Sequence, residues 1–364
     1  MERYNRHIIL SEIGQTGQNK LSKAKVLVVG AGGLGCPVLQ YLTAAGVGTI
    51  GVMDFDIVET SNLQRQVLFG TSSLGKNKAE AAKSRLLDLN DTITINSYPE
   101  KLTFQNAIDL FNQFDIIVDG TDNFETRYLI NDACVICNKP LVFGAIYKFQ
   151  GQVSVFNYDN GPSFRCAFPK NPKKDAVPNC SEVGVIGVLP GIIGSMQANE
   201  VLKIILGIGH VLSGKILFYD TLKNQTTILT VKKSEAEIQK VLLNKNEFHK
   251  QQFENHCRVD EPGISIKEIL NKANIQFIDV REPHELPKVE GVPVTRIPLS
   301  ELENYLEKVS IDKEKAIFCQ SGIRSKQAVS ILKQNNIYDC CSINDGALEI
   351  NRYIKELNKQ AANE

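Results

Sequence analysis

Short apolar runs alternate with longer amphipathic stretches through the first two-thirds of this chain. Val26–Val29, Thr49–Met53, Thr92–Ser97, Ile116–Val118, Leu141–Ala145 and Val153–Asn157 read as strands. Between them Leu34–Ala45, Lys76–Leu89 and Gln105–Asn112 read as helices, and Phe104, Ile108 and Phe111 share one face of the last. Strands and helices in alternation imply an α/β fold, a doubly wound, largely parallel Rossmann-like sheet. From Gly161 to Gly184 the density of Pro, Asn and Lys reads as a long irregular loop, a kind of segment that is usually functional. A helix (Gly194–Leu206) and two strands (Lys215–Tyr219 and Thr226–Val231) follow.

Residues 234–262 are mostly polar and read as a linker. A second α/β pattern then begins: helix Ile264–Asn271, strand Phe277–Val280, helix Ser300–Lys308, strand Ala316–Cys319, and helices Ser325–Gln334 and Ala347–Glu356. The expected organisation is therefore a domain over 1–233, a linker over 234–262 and a small α/β domain over 263–364. A length of 364 residues agrees with two domains. A formal net charge of zero leaves no field to draw the chain onto nucleic acid or an anionic membrane. The charged start Met1-Glu-Arg-Tyr-Asn-Arg-His7 lacks a signal peptide's apolar core, and the apolar stretch Val185–Leu206 is interrupted by Pro190, Gln197, Asn199, Glu200 and Lys203. Nine cysteines without a disulfide framework read as reduced thiols in a cytoplasm.

The chemistry concentrates in residues 30–66. Gly30-Ala-Gly-Gly-Leu-Gly35 follows an apolar strand, and such a turn lets backbone approach phosphate ahead of a helix N-terminus; Gly30, Gly32 and Gly33 are the candidate contacts. Asp54 ends the next apolar run, where a ribose hydroxyl would sit. Beyond it lies Ser61-Asn62-Leu63-Gln64-Arg65-Gln66, a polar cluster that a nicotinamide site does not need. Reaction at the α-phosphate of a triphosphate requires cations, a Mg²⁺ ligand and donors for the developing charge. Arg65 and Lys78 can supply the first, Asp122 the second and Asn62 the third. Asp122 and Asn123 follow the strand Ile116–Val118, at the sheet edge where open α/β sheets bind ligands.

Taken in order, GAGGLG, DxD, SNLQRQ, Lys78 and TDN resemble the ubiquitin-activating-type family, and within it the MoeB/ThiF adenylyltransferases that activate sulfur-carrier proteins, over roughly residues 1–232. The resemblance implies a Mg·ATP site at Gly33, Asp54, Asn62, Arg65, Lys78 and Asp122, with Ser61, Leu63 and Gln64 as further contacts, and a homodimer in which Arg6 reaches the neighbouring subunit's phosphates. It implies a small ubiquitin-like carrier ending in Gly-Gly as partner and a sulfur donor such as a cysteine desulfurase. Ala176-Val-Pro-Asn-Cys180-Ser-Glu-Val-Gly184 matches the family's crossover loop, which makes Cys180 a candidate nucleophile. Relatives usually hold a structural zinc on two Cys-x-x-Cys pairs. Here Ser163-Phe-Arg-Cys166 lacks one thiol and the second pair, expected near 235–250, is missing, so no zinc is expected. Cys134-Val-Ile-Cys137 is spaced like a ligand pair but lies in an apolar helical run and reads as core.

In the second domain, Cys319-Gln-Ser-Gly-Ile-Arg324-Ser325 places a cysteine at a strand end before a glycine-bearing loop and a helix, an anion nest able to hold a persulfide. The loop is one residue shorter than that of cysteine phosphatases. With Phe277-Ile-Asp279-Val-Arg281-Glu upstream, residues 264–357 resemble a rhodanese domain, although Asn344-Asp-Gly-Ala-Leu348 departs from its usual C-terminal pattern. The expected activity is adenylation of the carrier's C-terminal glycine followed by persulfide sulfur transfer through Cys319, for molybdopterin, thiamin or tRNA-thiolation chemistry. The alternatives are a protein-modifier activator forming a Cys180 thioester and, further off, a NAD-dependent oxidoreductase.

Overall fold

Eight strands form the first sheet: β1 (Lys25–Val29), β2 (Thr49–Met53), β3 (Thr94–Tyr98), β4 (Ile116–Asp119), β5 (Leu141–Tyr147), β6 (Gln150–Phe156), β7 (Lys215–Asp220) and β8 (Gln225–Thr230). The structure is a computed structural model that describes residues 2–171, 184–251, 263–270, 272, 274–320 and 322–361. The strand order is β3-β2-β1-β4-β5-β6-β7-β8. The first five run parallel and the remaining pairings are antiparallel, so the sheet is mixed.

The unbroken apolar run of β1 follows from its central place, where both faces must be covered. Val26 and Val28 enter a core with the helices Gly35–Ala45, Lys78–Leu89 and Val188–Leu206. Leu27 and Val29 point the other way, into a core with Ala107–Phe111 and Phe124–Cys137. Chain order reverses between β1 and β4, and at such a switch point the connections leave toward opposite faces and open a crevice.

The expected linker is partly structural. Ser234 caps the helix Glu235–Leu243 by accepting from the Glu237 N–H at 3.4 Å. Val241 and Phe248 are buried, and Phe248 meets Phe104 edge to face with ring centroids 5.1 Å apart. Gln105 Nε2 donates to the His249 carbonyl at 2.9 Å. Contacts accordingly divide the chain after Phe253. A few apolar residues on an otherwise polar helix suffice to anchor it, which the stretch's composition conceals.

The second unit, Glu254–Glu364, holds a parallel sheet of β9 (Ile275–Asp279), β10 (Val294–Arg296), β11 (Glu314–Phe318) and β12 (Cys340–Ser342), in the order β10-β9-β11-β12. The three-residue strands β10 and β12 are too short to show a period and were not expected. The helix expected over Ile264–Asn271 covers only Ile266–Ile269, and Leu299–Lys308 is a 3₁₀ run broken at Tyr305.

Candidate active sites

A cleft of 480 Å³ opens at the carboxyl ends of β1 and β4 in the first unit. The turn after β1 is packed too tightly for any side chain at two points. At Gly30, φ is +96° and a Cβ would lie 2.8 Å from the Gly120 carbonyl oxygen; at Gly35 it would lie 1.9 Å from that of Gly30. Gly32 faces the cleft instead, where a Cβ would meet only Gln66 Nε2, at 3.8 Å. Backbone is thus laid bare where a phosphate can approach it.

Asp54 fastens this turn to the end of β2. Its Oδ2 accepts from the Ala31 N–H at 2.8 Å and its Oδ1 from the Asp56 N–H at 2.9 Å. Burial lifts its carboxyl above the usual carboxylate range, while the nearby Lys78 ammonium pulls it back. Asn77 places that lysine. It caps the helix Lys78–Leu89 by accepting from the Ala79 N–H at 2.9 Å, and its Nδ2 donates to the carbonyls of Asp54 and Asp56. Lys78 is 6 % exposed, lines the cleft, and pairs with Asp56 Oδ2 at 3.1 Å.

Gly30, Gly32, Gly33, Asp54, Arg65 and Lys78 line the cleft together with Asp122 and Asn123. Asn123 also caps the helix Phe124–Cys137 through the Thr126 N–H. Asn62 differs from the expectation. It is turned into its own 3₁₀ turn, where Oδ1 accepts from the Glu59 N–H at 3.1 Å and Nδ2 donates to Ser61 Oγ at 3.4 Å. Neither it nor Ser61, Leu63 or Gln64 is among the lining residues. A short polar side chain near a turn satisfies the local backbone first. Arg6 is exposed on the short helix Asn5–Ile8, and Cys180 lies outside the described residues.

Two residues in the cleft escaped the sequence reading. Gln66 is 4 % exposed, lines the cleft, and its Oε1 has no protein partner. Arg127 is buried with its Nε 3.6 Å from Asp119 Oδ2, donates from Nη2 to the Thr121 carbonyl at 2.9 Å, and lies over the Phe143 ring. Asp119 is further held by the Thr121 N–H and hydroxyl at 2.8 and 2.6 Å. The pair fixes the loop that carries Asp122. Truncating Arg127 to Ala strands a carboxylate that is 1 % exposed, so a loss of about 3–5 kcal/mol is expected. Urea denaturation of the first unit measures it, and a loss below about 1 kcal/mol would deny the pair that role.

The glycine cradle, Arg65 and Lys78 suit a nucleoside triphosphate, and the unpartnered Gln66 Oε1 is an acceptor for a hydroxyl or amino donor of such a ligand. Asp122 is one of four described carboxylates lining the cleft, with Asp54, Asp56 and Glu100, where the triphosphate's Mg²⁺ would be held. Zinc does not fit. The groups gathered at Cys166 are the Ser163 hydroxyl, 3.4 Å from Sγ, and the Ser234 N–H, which donates to Sγ at 3.3 Å. One thiol among hydroxyls and amides is not the four thiolate or imidazole ligands of a structural zinc site. Cys134 is fully buried and its thiol is pushed far up by that burial, as a core residue's is.

In the second unit, Cys319 follows β11 and is 0 % exposed. Gly322, at φ +78°, turns the chain into the helix Ile323–Gln334 and donates its N–H to Cys319 Sγ at 3.1 Å. Ser325 Oγ lies 3.6 Å from the same sulfur. Arg324 forms a two-point ion pair with Glu285, the second contact at 2.9 Å, and that pairing holds the Glu285 carboxyl below its usual range. Asp279 and Arg281, both buried, make another two-point pair at 2.9 and 2.8 Å, and Arg281 also donates to the Pro287 carbonyl.

A model of the ThiF family matches residues 4–240. The chain belongs to the ThiF family. A sulfur carrier protein adenylyltransferase of Thermus thermophilus is 52 % identical over 239 residues, covering 64 % of this chain and 88 % of that protein. Similarity to a probable adenylyltransferase/sulfurtransferase, MoeZ of Mycobacterium tuberculosis, reaches across both units. It is 38 % identical over 365 residues, 94 % of this ThiF-family chain and 91 % of MoeZ. Among solved structures, Escherichia coli MccB with ATP shares the fold at a TM-score of 0.54 and 24 % identity, over 64 % of this chain and 72 % of that one.

Proposed function

We propose that this ThiF-family protein adenylates the C-terminal glycine of a small ubiquitin-like sulfur carrier and then converts it to a thiocarboxylate. The observation that carries the reading is the convergence on one cleft of the glycine turn, Asp54, Arg65, Lys78 and Asp122, in a chain whose second unit cradles Cys319. The resemblance to MoeZ along nearly the whole chain supports joining the two activities.

The carrier carboxylate attacks the α-phosphorus of ATP. A P–O bond forms, the bridging bond to the β-phosphate breaks, and pyrophosphate leaves. Lys78 and Arg65 balance charge that grows on the phosphates, which are stabilised most where water is excluded. Mg²⁺ held at Asp122 would neutralise the leaving pyrophosphate. The Cys319 thiolate takes the outer sulfur of a donor persulfide, such as one formed on a cysteine desulfurase, and the donor leaves as a thiolate. The resulting persulfide attacks the acyl-adenylate carbonyl; the C–S bond forms as the C–O bond to AMP breaks. A second thiol, for which Cys180 is our candidate, attacks Cys319 Sγ and releases the carrier thiocarboxylate. The disulfide so formed returns to two thiols at the expense of a dithiol reductant. We further propose a cytoplasmic homodimer in which Arg6 reaches the partner's phosphates.

ATP–pyrophosphate exchange, run with small carriers ending in Gly-Gly and followed by carrier mass, tests this. The expected result is exchange that depends on one carrier, whose mass then rises by the difference between sulfur and oxygen. Tight ATP binding without carrier-dependent exchange, across carriers of all three sulfur pathways, would overturn the adenylation step.

A further inference from the structure

We infer that Ser325, oriented by Ser342, is a positioning residue for the Cys319 thiolate, a second donor to its sulfur beside the Gly322 N–H. The inference rests on the sulfur-transfer reading above. A thiolate sealed from water needs donors in place of solvent, because burial penalises the charged form of a thiol. Cys319 is 0 % exposed, and so is Ser325. Ser325 Oγ stands 3.6 Å from Cys319 Sγ, 3.1 Å from the Gly322 carbonyl oxygen and 2.8 Å from Ser342 Oγ.

A hydroxyl has one proton and two acceptor sites. Ser342 lies on β12 with 1 % exposure, and Ser325 is the neighbour its hydroxyl reaches. With Ser342 donating to Ser325, the Ser325 proton is left to Sγ or to the Gly322 carbonyl. A charge-assisted bond to an ionised sulfur is the stronger of the two. The proton therefore rests on the carbonyl while Cys319 is a thiol and swings to Sγ when it ionises. That arrangement favours each step in which Cys319 acts or leaves as a thiolate, since a more stable thiolate is the better leaving group.

The test uses the full chain and two readouts. One is alkylation of Cys319 by iodoacetamide, resolved from the other cysteines by peptide mass spectrometry across pH. The other is thiocyanate formation: Cys319 displaces sulfite from thiosulfate and becomes a persulfide, then cyanide removes the outer sulfur and Cys319 leaves as a thiolate. For Ser325→Ala we expect alkylation at pH 7 to slow roughly tenfold and to recover at pH 10, with thiocyanate kcat falling roughly tenfold at unchanged KM. Ser342→Ala should act in the same direction but less, and Ser325→Thr, which keeps the hydroxyl, should restore the pH profile. Unchanged pH profiles in Ser325→Ala and Ser342→Ala, with thermal midpoints near that of the parent, would overturn the inference and leave only a structural hydrogen bond. Loss of thiocarboxylate formation in Cys319→Ala separates that outcome from failure of the sulfur-transfer reading itself.

Discussion

Replacing Cys319 with Ala is expected to abolish thiocarboxylate formation while ATP–pyrophosphate exchange stays within about twofold of the parent protein, because only the second half-reaction forms a covalent bond to that sulfur. The substitution removes one atom from a fully buried position that closes on Gly322 and Ser325. Its structural cost is a small cavity, on the order of 1 kcal/mol. The described residues that line the candidate nucleotide cleft belong to the first unit. The carrier should therefore accumulate as its acyl-adenylate, visible as a mass gain of one AMP unit. Retention of the sulfur-for-oxygen mass change in Cys319→Ala would mean that sulfur reaches the carrier by another thiol. Loss of exchange in a folded Cys319→Ala protein would instead join the two activities more tightly than the chemistry requires. Among the other described cysteines, burial pushes the Cys36 thiol up to about 12 and that of Cys341 up to about 11, which leaves them poor substitutes at neutral pH.

What was legible in the chain, and what was not, follows from how far each feature depends on distant residues. The glycine turn after β1, Asp54 at the end of β2 and Cys319 at the end of β11 are local patterns of strand, turn and helix, and local patterns survive in a linear reading. Arg127 and Asp119 do not advertise themselves. Their importance comes from mutual burial beneath the loop that carries Asp122, which no spacing rule encodes. Gln66 stood within the recognised motif, yet only its buried side chain with an unpartnered Oε1 marks it as turned to the cleft. Asn62 shows the converse: the motif names the turn, while the asparagine's Oδ1 accepts from the Glu59 N–H and its Nδ2 donates to the Ser61 hydroxyl beside it. The segment after Ser234 was hidden by composition, since Val241 and Phe248 fasten a helix whose remaining surface is polar.

Lys78→Ala should lower the exchange rate by about 10²–10³-fold with little loss of stability, and the surroundings of this lysine explain why the two effects separate. Its ammonium is almost wholly withdrawn from water and pairs with Asp56, whose side chain is half exposed. Truncation lets Asp56 return to solvent, so the pair contributes no more than about 1 kcal/mol to folding. The helix start also survives, because Asn77 caps it through backbone N–H groups and alanine is the best helix former. The cleft, by contrast, loses a fixed positive charge in a site shielded from solvent, where it acts on phosphate charge at no cost of reorganisation. Lys78→Arg keeps the charge but spreads it over a planar fork that the space beside Asp56 was not shaped for, and should recover only part of the rate. Exchange by Lys78→Ala within threefold of the parent, at equal thermal midpoint, would remove the lysine from the reaction and reduce it to a buried ion-pair partner of Asp56.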